Sequence, residues 1–129
     1  MPDEPRSPYQ YAIIRVVPHV ERGESINAGV VLLCRTRAYL GAVTELDAAR
    51  LRAIAPDADL AVIADHLRAI ERIARGDPEG GPIARLTIGE RFHWLVAPAS
   101  TMIQASPVHT GLTDDPAAEL DRLVEGLVR

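Results

Sequence analysis

Two apolar runs dominate the first third of the chain, YAIIRVV at residues 11–17 and VVLLC at residues 30–34. In the first, Tyr11, Ile13, Arg15 and Val17 alternate with Ala12, Ile14 and Val16, the two-residue period of a strand. Both sets are largely apolar. A strand over Tyr9–Val17 is therefore expected to be central and covered on both faces, or closed on one face by a partner. A second strand, from about Ile26 to Cys34, has the same character. Arg35-Thr36-Arg37 reads as a hairpin connection to a third strand over Tyr39–Thr44. These runs predict a three-stranded antiparallel meander.

The period then changes. Asp47 is placed to cap AARLRAIA, which Pro56 ends. Asp59 is placed to cap LAVIADHLRAIERIAR, closed by Gly76, with Leu60, Ile63, Leu67, Ile70 and Ala74 as its apolar stripe. GDPEGGP, residues 76–82, is a loop by composition. A weak strand is expected at Ile83–Ile88 and a stronger one in RFHWLVAP, Arg91–Pro98, with Ser100–Ala105 as its hairpin partner. SPVHTGLTDDP, residues 106–116, is polar and turn-rich. Asp115 and Pro116 open a last helix whose stripe is Leu120, Leu123, Val124 and Leu127. The order βββ-αα-ββ-α predicts one α+β domain over residues 9–129: an antiparallel sheet, meander plus later hairpin, with about three helices on one face. Residues 1–8, with Pro2, Pro5 and Pro8, read as a flexible arm.

Charge narrows the partners. The net charge is −4, and no basic stripe or tail is present, which disfavours general nucleic-acid binding. No apolar run approaches the roughly 18 residues of a membrane span, and MPDEPRSPYQ lacks the pattern of a secretory leader. Cys34 is the only cysteine and ends an apolar strand, so a buried thiol in a reducing, cytoplasmic setting is expected.

The polar chemistry is concentrated in two places. The first is PHVERGESINAG, residues 18–29, set between the two most apolar strands. It holds His19, Glu21, Arg22, Glu24 and Asn27, the last being the only asparagine in the chain. A two-residue turn would join the strands, so the longer loop reads either as a functional segment or as a solvated loop with Gly23 at positive φ and Arg22 paired to a glutamate. Arg15 within the first strand needs an acceptor: Glu21, Glu24 or a bound ligand. Asn27 serves an Asx turn or a ligand, and Gly29 marks a bulge or a close approach.

The second place is residues 106–114, where His109 stands among Ser106, Thr110, Thr113 and Asp114. Such a group binds an anion, holds a general base, or caps the final helix. His93, read as alternating with Phe92 and Trp94, shares a face with Arg91 and Leu95. A Ser–His–Asp set from Ser100 or Ser106, His109 and Asp114 lacks the strained elbow around a nucleophile. The histidines show no metal-ligand spacing and no Gly-rich phosphate loop is present, so neither metal nor cofactor is expected.

With those residues in view, the chain resembles bacterial domain-of-unknown-function family 3037. The resemblance rests on YAIIRVVPHVERGESINAGVVLLC and RFHWLVAPASTMIQASPVHTGLTDDP, and it covers nearly the whole chain. Arg15, Glu21, Arg22, Gly23, Glu24, Asn27 and Gly29 match the first segment; Arg91, His93, Ser106, Pro107, His109, Thr110 and Gly111 match the second. The family implies no activity. It implies a protein partner, the product of a neighbouring gene for a HipA-like kinase-domain protein, in a two-gene unit of toxin–antitoxin type.

The leading expectation is a small binding or regulatory module. It acts with a protein partner, or binds an anionic ligand, through Arg15, Glu21, Arg22, Glu24, Asn27, Arg91, Ser106, His109 and Thr110. The alternative is a hydrolase or phosphoesterase with His109 or His19 as base and Glu24 or Asp114 as its carboxylate. A homo-oligomer closing the apolar strands is a third reading. The distance between the two polar segments separates these cases.

Overall fold

The computed structural model describes residues 5–99 and 101–129. β1 (Ser7–Val16), β2 (Ile26–Cys34) and β3 (Tyr39–Thr44) form the expected antiparallel meander. β1 begins at Ser7, which is buried and accepts a hydrogen bond from Arg37 Nε. α1 (Ala48–Ile54) and α2 (Leu60–Arg75) start where the Asp47 and Asp59 carboxylates accept from the N–H groups of Arg50 and Val62. Each cap satisfies a donor that the first helical turn leaves without a partner.

Two expected strands are corrected. Ile83–Ile88 is not extended: Pro82–Arg85 forms a single 3-10 turn. RFHWLVAP is not a strand either: RFHWLV is the body of α3 (Ile88–Val96), which ends before Ala97 and Pro98. The cause lies just upstream, in Thr87-Ile88-Gly89-Glu90. Thr87 Oγ1 accepts from the Glu90 N–H while the Glu90 carboxylate accepts from the Thr87 N–H, a reciprocal cap that starts a helix. Ile88, Phe92, Leu95 and Val96 then fall on one helical face and pack into the core.

β4 (Ile103–Ala105) consequently has no hairpin partner in α3, and the segment expected to be turn-rich contains a further strand, β5 (His109–Thr113). Both pair antiparallel with β1, end to end along the edge opposite β2. Ser106 splices them. Its Oγ accepts from the Ile13 N–H and donates to the Pro107 carbonyl, and its own N–H reaches the Ile13 carbonyl. Ser100, the expected start of the hairpin strand, lies outside the described residues.

The result is α+β: a five-stranded antiparallel sheet and, among the described residues, four α-helices. The helices are not all on one face. α1, α2 and α3 cover Ala12, Ile14, Val31 and Leu33. α4 (Pro116–Leu127) lies on the opposite face, with Leu120, Leu123 and Val124 against Val30, Leu32 and Cys34. This is why β2 is apolar on both sides. Cys34 is fully buried in that second layer.

Candidate functional site

The two polar segments do not meet. β1 and β5 are registered with Tyr11 opposite His109 and Ser7 opposite Thr113. The loop after Val16 leaves from the other end of β1. Six residues of strand, roughly 20 Å, separate Tyr11 from Val17. His109 and Asp114 are therefore far from His19, Glu21 and Glu24. Asp114 follows the end of β5, five residues and about 16 Å of extended chain from His109.

Within the 18–29 segment the charges face water. Arg22 Nε donates to Glu24 at 2.5 Å, with both side chains solvent-accessible, and the Arg22 and Gly23 N–H groups reach the His19 carbonyl. Glu21 is exposed, and His19 stands 3.7 Å from Asp57. Arg91 and Ser106 are engaged structurally. Arg91 Nη1 donates to the carbonyls of Ile73 and Ala74, closing the C-terminal end of α2 where orphan carbonyls and the helix dipole favour a cation. His93 turns back along α3 to the Gly89 carbonyl rather than sharing a strand face with Arg91 and Leu95. Thr110 is exposed on β5, opposite Gln10.

Three of the expected residues do share a surface: Arg15, Asn27 and His109. α4 packs over β2 and β3 and leaves the same face of β1 and its outer neighbours uncovered. Tyr11, Ile13 and Arg15 run along this strip, each half-buried, and Ile13 belongs to neither apolar cluster. His109 stacks on Tyr11, ring centroids 5.3 Å apart. Gln104 and Asn27 flank Arg15 in register on either side. Asn27 Nδ2 donates to the Leu127 carbonyl at the last turn of α4, so it serves a helix end rather than an Asx turn. Glu21 and Glu24 do not take the place expected of them beside Arg15. Among the described residues no carboxylate lies within ion-pair distance of it. Asn27, in register with Arg15, links this position to the C-terminal end of α4, where the helix dipole is negative.

The other end of the strip carries a group the sequence did not single out. Tyr9, 5% exposed, donates its hydroxyl to Glu119 at 2.5 Å, and Glu119 takes Nε and Nη2 of Arg122 on its two oxygens. Gly111 makes room for this. A Cβ there would stand 2.5 Å from the Tyr9 hydroxyl oxygen and 2.6 Å from its ring. Burial first, and Glu119 second, push the Tyr9 hydroxyl from 10.0 to about 12. Arg122 first, and Tyr9 after burial is offset, hold the Glu119 carboxyl below its ordinary value.

The signs of these shifts differ. The raised Tyr9 value contributes stability fully present below pH 10 and lost as pH rises toward 12. The lowered Glu119 value contributes stability present above 4.5 and lost as pH falls through its folded value. Tyr9→Phe is expected to reduce unfolding free energy by about 1–2 kcal/mol at pH 7. It should also remove the tyrosine part of the loss between pH 10 and 12, measured by urea titrations across pH.

The strip offers one half-buried arginine, two amides and an aromatic pair on an open sheet face. Among the described residues no three His, Cys, Asp or Glu side chains group in a way that could hold a metal, and no helix is long and apolar enough to cross a membrane. No curated protein and no solved structure shows significant similarity to the chain. A family model described as "Protein of unknown function (DUF3037)" matches residues 11–128, from Tyr11 on the open strip to the last turn after α4, and the chain belongs to that family.

Proposed function

We propose that the protein is a binding module that receives an acidic segment of a protein partner on the open strip of β1, with Arg15 holding the carboxylate or phosphate. The observation that carries this reading is Arg15 itself: a half-buried arginine on an uncovered sheet face, with no carboxylate within ion-pair distance among the described residues. Guanidinium binds planar oxyanions with two parallel hydrogen bonds, and a partly desolvated site strengthens them. Gln104 and Asn27 flank that position, and Tyr11 with His109 extends the strip with an aromatic surface about 13 Å further along the strand. The partner favoured is the product of the neighbouring gene, a HipA-like kinase-domain protein.

The test is size-exclusion and titration calorimetry with that purified partner at micromolar concentration. A complex is expected, and Arg15→Gln should weaken it at least tenfold, the scale of one charge-assisted hydrogen-bond pair. Arg52→Gln, on the exposed face of α1, should leave it unchanged. Absence of a complex, or equal affinity for the folded Arg15→Gln protein, rejects the reading.

A further inference from the structure

On the opposite side of the sheet, α2, α3 and β4 enclose a half-open cavity of about 480 Å³. Its floor includes Ile14, 2% exposed, so it reaches the main core. Ile70, Ile73 and Leu95 form the walls, and Trp94, the only tryptophan, lines it while 51% exposed. Among the described residues no aspartate, glutamate or arginine lines it, and His66 is the one titratable side chain. The hydroxyl of Thr101 and the amide nitrogen of Gln104 are committed to the carbonyls of Ile103 and Thr101.

Size and lining together define what fits. The volume falls within the roughly 300–1,000 Å³ range of small-molecule sites and equals about sixteen water volumes. The wall is apolar to the core, where an ion without a partner would be costly to desolvate. We infer that this cavity is a binding site for a small, uncharged, largely apolar molecule with one polar end, the tail on Ile14, Ile70 and Ile73 and the polar end toward His66 at the rim. Gln104, which flanks Arg15 on β4, also lines the cavity rim, but Ile14, Ile70 and Ile73 lie on the opposite face of the sheet from Arg15, so occupancy by an apolar tail does not rest on the partner-binding proposal.

Trp94 supplies the readout. Octan-1-ol, neutral with one hydroxyl, is titrated into the protein against octanoate, of the same chain length but charged at pH 8. A saturable blue shift of Trp94 emission is expected for octan-1-ol, with half-saturation below about 1 mM. Octanoate should require at least tenfold more. Ala69→Phe and Ala99→Phe, at exposed positions lining the cavity, should each fill it and weaken the octan-1-ol response at least tenfold. Val62→Ala, 40% exposed on α2 and outside the lining, should leave it unchanged. If either phenylalanine variant fails to fold, the other decides. A non-saturating response, equal binding of octanoate, an unaltered response in the filled variants, or a Trp94 shift that tracks self-association on size-exclusion overturns the inference.

Discussion

Phe92→Ala is expected to lower the unfolding free energy by about 3–5 kcal/mol, the largest loss of any change considered, read as a shift in the urea midpoint at constant slope. Phe92 is 1% exposed and packs with Ile14, Leu51, Ile63 and Leu67 in the layer under α1–α3. Removing the ring forfeits its transfer free energy and leaves a void that α3, held between its cap and the sheet, cannot collapse to fill. The paired variant makes the result diagnostic. In a strand, Phe92 and Trp94 would share a face and suffer alike. In α3 they stand about 200° apart around the axis. Trp94→Ala, at a residue 51% exposed, should therefore cost under about 1 kcal/mol.

Gly29→Ala is expected to cost about 1–3 kcal/mol and, unlike Phe92→Ala, to disturb the open strip directly. A Cβ at Gly29 would stand 2.7 Å from the Val43 carbonyl oxygen and 3.0 Å from Thr44 Cγ2. The first is backbone of the adjacent strand and has no flexible end to move aside. β2 also slips register against β1 here: Ile14 faces Gly29, but Arg15 faces Asn27, leaving Ala28 as the extra residue. That bulge sets where Arg15 and Asn27 point. Gly29→Ala should therefore weaken partner binding beyond what its loss of stability accounts for, measured below the unfolding transition. Gly126→Ala in α4, where a Cβ meets nothing within 4 Å, should be neutral or stabilising by up to about 1 kcal/mol.

The parts of the fold that a local pattern specifies were legible. Strand-length apolar runs mark β1 and β2, the hairpin connection after them points to β3, and Asp47, Asp59 and Asp115 mark three helix starts because each side chain caps the turn beside it. RFHWLV misleads because a short apolar run alternates by chance as readily as it follows a helix. The deciding pair, Thr87 and Glu90, lies outside the run. Double-sided apolarity in β2 was visible, but which helix covers which face depends on tertiary packing. Within the site, Arg15 and Asn27 stand out because polar residues in apolar strands need a reason. Their common face with His109 rests on the pairing of β5 with β1, between residues about a hundred positions apart, which no local pattern encodes. Tyr9, Glu119 and Arg122 are equally remote, although Tyr9 itself was placed in the strand.

The tandem edge made by β4 and β5 also bears on how the chain reaches this state. β1 finds its inner neighbour within the first third of the sequence, but Ser7 waits for Thr113 and Ile13 for Ser106. During synthesis, at about 5–20 residues per second, β1 keeps one side unpaired for several seconds after β2 and β3 are available. Pairings this distant in sequence close slowly because their loop entropy is lost before any contact compensates it. The nascent protein therefore passes through a stage in which its central strand is open to intermolecular pairing, and the rate of final closure sets its exposure to aggregation.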